Sequence, residues 1–113
     1  MVIRVQEQLC GLILRRMSLR GGRPRTHMCS WCHHVYRSQG TALFSTAVAG
    51  SDGRRRIGNA VCRNLDCSLR IRNLTGDPPT YMPETIELKH KIWRLNTAVT
   101  TFMGRANKLA DIL

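Results

Sequence analysis

Four cysteines in two pairs constrain this chain more than anything else in it. The stretch "THMCSWCHH" (Thr26–His34) holds Cys29 and Cys32 with two residues between them. After a 29-residue spacer, "CRNLDCS" supplies Cys62 and Cys67 with four between. Four thiolates around one tetrahedral ion is the geometry of a structural zinc site. A redox C-x-x-C belongs beside a βαβ pattern; none is visible here, and the second pair would have no role. Four cysteines also hold iron, but zinc is the commoner occupant. A hydrolase built on a cysteine with His33 or His34 needs a third group to orient the base, and the sequence offers none. The spacing therefore predicts one structural Zn2+ held by Cys29, Cys32, Cys62 and Cys67, in a protein that is not an enzyme.

The fifth cysteine, Cys10, lies in an apolar run and reads as a small buried hydrophobe. His27, His33 and His34 flank the first pair. They replace a ligand, orient one, or are plain polar loop residues.

The segments around the cysteines are β-like. Val2–Val5 and Leu9–Leu19, with a polar step at Gln6–Gln8, form a hairpin whose second strand runs out to an edge. "RGGRPR" (Arg20–Arg25) is a loop of glycine, proline and arginine. Thr41–Gly50 is a strand rich in β-branched and small apolar residues. The Asp-Gly of Ser51–Gly53 marks a tight turn, and Arg54–Val61 is the return strand. Asn64–Leu74 reads as a short helix capped by Asn64 or Asp66, with Cys67 in its first turn, where the helix dipole favours thiolate. A knuckle, a hairpin and a ligand-bearing helix together make a treble clef.

Adjacent prolines in Thr75–Pro83 end that helix. Pro83 suits the first turn of a final helix, with Glu84 and Glu87 at its positive end. Leu88, Ile92, Leu95, Val99, Phe102, Ala106 and Leu109 step by four and three residues along one helical face; Ile86, Trp93 and Met103 fall elsewhere. The stripe is expected to pack on the protein's own sheet, leaving a monomer, rather than on a helix of another chain. The expected class is α+β, one domain over residues 1–113: an N-terminal hairpin and basic loop (2–25), a treble-clef zinc core (26–74) and a C-terminal amphipathic helix (83–112).

Charge speaks to partners. Lys and Arg number 18 against 7 Asp and Glu, a net +11, and all but three of the cations are arginine. Arginine forks bind phosphate or carboxylate in a bidentate way, so an anionic partner is expected: nucleic acid, a ribonucleoprotein or an acidic protein face. Zinc with four thiolates carries about −2, and Arg63, Arg70, Arg72 and His33 are close enough in sequence to offset it. Arg20, Arg23 and Arg25 in the loop and Arg54, Arg55 and Arg56 at the hairpin tip are better placed for an external partner. Nothing in the sequence matches the roughly 20 apolar residues of a membrane-spanning helix or a signal peptide. A cytoplasmic location is expected, where paired thiols are more often metal ligands than disulfides.

The strings "MCSWC", "ALFSTAVAGSDGRRRIGN" and "CRNLDCSLRIR" resemble the C-terminal treble-clef domain of the elongation-factor-G-binding proteins, the FusB-type family linked to fusidic acid resistance. The resemblance runs from about Val2 to the last helix. It implies Cys29, Cys32, Cys62 and Cys67 as zinc ligands. It also implies binding to elongation factor G on or off the ribosome, helping the factor leave a stalled complex. A nucleic-acid-binding zinc module, on ribosomal RNA or DNA, uses the same arginines; against it, two Trp, two Tyr and two Phe offer few platforms for stacking bases.

Overall fold

The computed structural model describes residues 1–5, 7–18, 26–37, 39–76 and 78–107. The N-terminal hairpin pairs β1 (Val2–Val5) with β2 (Gln8–Gly11), Val2 opposite Gly11 and Val5 opposite Gln8. The strand expected over Leu9–Leu19 is two strands. β2 ends at Gly11, and β3 (Arg15–Ser18) joins another sheet, with Arg15 opposite Ser45 and Met17 opposite Leu43. Between them Leu12 and Leu14 pack against the core while Ile13 is exposed. An unbroken apolar run reads the same whether it is one long strand or two short ones joined at a corner.

β6 (Thr41–Ala47) is the centre of a three-stranded antiparallel sheet, flanked by β3 and by β7 (Arg56–Cys62). The β6–β7 ladder runs without a bulge from Thr41 opposite Cys62 to Ala47 opposite Arg56. Its tip turns through Gly50, Asp52 and Gly53, all at positive φ (79°, 53° and 76°), the left-handed region that Gly and Asp tolerate best. The Ser51 hydroxyl donates to the Val48 carbonyl at 2.6 Å and braces this loop.

The ligand-bearing helix, α1, is one turn long, Cys67–Arg70, rather than the expected Asn64–Leu74. Leu65 (φ 53°) and Asn73 (φ 54°) interrupt the segment on each side, because left-handed residues cannot continue a right-handed helix. Neither expected cap operates. Asp66 precedes the helix but makes no capping bond; its carboxylate accepts from Arg70 Nε at 3.0 Å instead. Four residues are also too few to give Cys67 a helix-dipole environment.

The final helix, α2, spans Leu88–Asn107, and the expected start at Pro83 is wrong. Glu84 is bound to Arg94 through two 2.7 Å bonds. In one continuous helix, residues ten apart stand about 15 Å apart, so the pair requires Pro83–Glu87 to fold back beside the helix. The Glu87 carbonyl accepts from the amides of His90 and Lys91, which begins the helical ladder. Leu95, Phe102 and Ala106 of the apolar stripe are buried, Ile92 and Val99 partly so, and Leu88 is exposed. Leu109 and the expected helical residues beyond Asn107 lie outside the described residues. Met103, which the stripe omitted, is fully buried, and Trp93 is 69 % exposed. The helix packs on its own chain: Phe102 meets Trp31 edge-on at 5.6 Å, and the Ala49 amide donates to the Ala106 carbonyl at 2.7 Å. No helix among the described residues is long and apolar enough to cross a membrane.

Candidate metal centre

Three separate pieces of chain deliver the cysteines. The first is a miniature hairpin, β4 (His27–Met28) against β5 (Val35–Tyr36). Across its neck the Cys29 amide donates to the His34 carbonyl at 3.0 Å, and the His33 amide returns to the Cys29 carbonyl at 2.9 Å. His33 sits at φ 61° to close the turn. The Ser30 amide then donates to Ala60 on β7 at 2.9 Å, which fastens the knuckle to the main sheet. The second piece is the end of β7, whose last residue is Cys62. The third is α1, reached through a turn in which the Leu65 amide donates to the Cys62 carbonyl; its first residue is Cys67.

The four sulfurs lie within 4.8 Å of one another. Cys29 and Cys67 are 3.6 Å apart and Cys32 and Cys62 3.4 Å. A tetrahedron with Zn–S bonds of about 2.3 Å has sulfur–sulfur edges of about 3.8 Å, so the spacing fits zinc. All four are buried, at 0–5 % exposure. The amides of Trp31, Cys32 and Cys62 point at the Cys29 sulfur at 3.4, 3.4 and 3.3 Å, and such donors favour thiolate. Hydrogen bonds from Cys32, Cys62 and Cys67 draw the Cys29 thiol far below its ordinary pKa, against the upward push of burial. Contact with Cys29 drives Cys32 and Cys67 upward. One negative charge among four packed sulfurs opposes the next, and a divalent cation at their centre removes that conflict. Zinc bound there ties knuckle, sheet and α1 into one unit.

Residues around the sulfurs complete the design. The Tyr36 hydroxyl donates to the Cys62 sulfur at 3.0 Å. Burial, then that bond, pushes its pKa up, so the phenol stays a donor. Its ring lies 5.1 Å from the Arg70 guanidinium and 4.4 Å from the His34 ring. Gly40 passes so close that an added Cβ would fall on the ring carbons of Tyr36. On the other side, Arg94 donates to the Cys32 carbonyl at 3.3 Å while Glu84 holds its far face; its buried Nε has no partner among the described residues. Arg94 lowers the Glu84 pKa, and Glu84 raises that of Arg94.

Sequence reasoning placed the four cysteines together and missed Tyr36, Gly40 and Arg94. Only Gly40 carried a local signal, standing immediately before the strand expected over Thr41–Gly50. Of the cations expected to offset the cluster, Arg70 is buried beside it, whereas Arg63 is exposed and exposed Arg72 turns to Ser68. His27, His33 and His34 are not among the clustered donors. Cys10 is half-buried in β2, apart from the cluster. Arg54, Arg55 and Arg56 are exposed at the far end of the β6–β7 hairpin, where Arg56 bonds to Ser45. Arg20, Arg23 and Arg25 lie outside the described residues.

No curated protein and no solved structure is significantly similar to the chain. The family of FBP C-terminal treble-clef zinc-fingers matches residues 1–106. Among the described residues, that span takes in every strand, both helices to within a residue of their ends, and all four clustered cysteines. With knuckle, hairpin and ligand-bearing turn converging on those sulfurs, the chain belongs to the FBP C-terminal treble-clef zinc-finger family.

Proposed function

We propose that the chain is a zinc-structured binding protein, not an enzyme, that docks as a monomer onto elongation factor G or the ribosome around it. The observation that carries the reading is the hairpin tip. Arg54, Arg55 and Arg56 are exposed on a rigid ladder whose other end is anchored at Cys62. Membership in the family supplies the candidate partner. A binding role also suits the cysteines, which face one another in the core where no substrate reaches them. Arg23 and Arg25 belong to the proposed face by sequence.

Charges at the rim of an interface mainly raise the association rate and its salt sensitivity. Replacing Arg54, Arg55 and Arg56 by Ala is expected to slow association with elongation factor G several-fold at low salt, with zinc content unchanged. Biolayer interferometry on the purified factor, with and without ribosomes, measures this. Absence of binding to either at about 50 μM, a standard free energy of only about −6 kcal/mol, rejects the translation reading. The nucleic-acid alternative then predicts a salt slope of about one log unit per phosphate contact.

A further inference from the structure

At the opposite end of the β6–β7 hairpin from Arg54–Arg56, one strand length or about 20 Å away, a cleft of about 550 Å³ opens beside β5. This is within the usual volume of a small-ligand site. One wall is β5 itself, and the other is the Pro78–Tyr81 segment. The two are stitched together: the Val35 amide donates to the Thr80 hydroxyl at 2.9 Å, and the Tyr81 amide to the Val35 carbonyl at 2.9 Å. Adjacent prolines fix φ on that wall, so the cleft is formed before any ligand arrives.

Its lining is cationic and aromatic. Arg37 and Arg63 are exposed along it, and Arg70, 7 % exposed and held by Asp66, also contributes. No Asp or Glu among the described residues lines it. Among the described residues, neither Arg37 nor Arg63 pairs with a carboxylate. Guanidinium forks without an acidic partner match phosphate oxygens in pairs. The Arg37 guanidinium stacks 4.9 Å over the half-exposed Tyr81 ring. An arginine–tyrosine plate of this kind is the surface on which an unpaired nucleobase stacks. An acidic peptide would satisfy the arginines but make no use of the plate.

We propose that this cleft binds a nucleoside monophosphate unit, its phosphate between Arg37 and Arg63 and its base on Tyr81. The unit is either a free nucleotide or the phosphorylated end of an RNA strand. The site is independent of the hairpin-tip arginines and of whatever they bind.

Calorimetric titration of the zinc-loaded chain at low salt tests this with four probes: the ribonucleoside monophosphates, the matching nucleosides, inorganic phosphate and a 5′-phosphorylated RNA tetramer. At least one monophosphate is expected to bind tenfold or more tightly than its nucleoside or inorganic phosphate. Tyr81→Ala and Arg63→Gln should each weaken it at least fivefold, with zinc content and melting temperature retained. Replacing Arg54, Arg55 and Arg56 by Ala should leave it unchanged. One-to-one binding of the tetramer, equally sensitive to Tyr81→Ala, assigns the strand end; retention of the mononucleotide alone assigns the free nucleotide. A monophosphate no tighter than phosphate, or insensitive to Tyr81→Ala, or abolished by the hairpin-tip variant, overturns the proposal.

Discussion

Tyr36→Phe removes one atom, the hydroxyl oxygen that donates to the Cys62 sulfur at 3.0 Å. Net hydrogen bonds to charged groups contribute about 1.5–3 kcal/mol. At about 1.4 kcal/mol per decade, that is a loss of roughly 10–100-fold in zinc affinity. The range agrees with the loss seen when groups supporting a metal ligand are removed elsewhere. If the unfolded chain holds no zinc, the folded state loses the same free energy. For a domain of this size about 4 °C accompanies each kcal/mol, so the melting temperature should fall by roughly 6–12 °C. Gly40→Ala reaches the same bond by steric means. Its Cβ would fall on the Tyr36 ring, and relieving such overpacking costs about 1–3 kcal/mol. The ring must shift, and the hydroxyl leaves Cys62. Because both changes act on one contact, the double variant should lose less than the sum of the singles. Competition against a chromophoric chelator reads the affinity. A Tyr36→Phe protein within twofold of wild type, in an assay where Cys67→Ala abolishes binding, refutes the reasoning.

Cys67→Ala should behave like chelation. Structural zinc contributes about 10–16 kcal/mol in small peptides, comparable to the whole stability of a typical domain, about 5–15 kcal/mol. Far-ultraviolet circular dichroism should show the zinc core unfolded, and a melt within a few degrees of wild type would contradict a structural site. Cys10→Ser, by contrast, should leave zinc content unchanged by elemental analysis, since Cys10 lies outside the cluster. Glu84→Gln should lower the melting temperature most at neutral pH. Its folded pKa is depressed by Arg94, so the carboxylate's contribution is present above the usual glutamate value of about 4.3 and fades as pH falls through the lower folded value. A gap between variant and wild type that widens on acidification would show the pair is not a stabilising contact.

The ligands were legible because cysteine spacing is a covalent property of the sequence that survives folding. So was the β6–β7 hairpin, where Gly50, Asp52 and Gly53 supply the left-handed residues its tip requires. The α2 stripe was legible for a related reason, since helical period is local. What escaped was settled by contacts distant in sequence. Arg94 reads as a solvated cation on a polar helical face until Glu84 and Cys32 close around it. Tyr36 gives no sign that it will meet Cys62, 26 residues onward. The shortness of α1 follows from Leu65 at φ 53° and Asn73 at φ 54° on its two sides, and leucine's own propensity opposes such a conformation.

Two roles were open to the basic excess: neutralising the zinc–thiolate cluster from within, or facing a partner. The structure divides them unequally. A zinc ion with four thiolates lowers the net +11 by about two. The two arginines that enter the interior around the cluster bring their own carboxylates, Arg70 with Asp66 and Arg94 with Glu84. Lys89 is likewise matched by Glu87 on the surface. Three of the five acids among the described residues, Asp66, Glu84 and Glu87, are thus committed to particular cations, and the pairs cancel in net charge. The surplus is carried by residues such as Arg37, Arg63 and Arg54–Arg56, which stand exposed at the two ends of one hairpin. On the two proposals made above, the positive potential of this exposed surplus draws anions to two separate places, and mutating one end should therefore leave binding at the other intact.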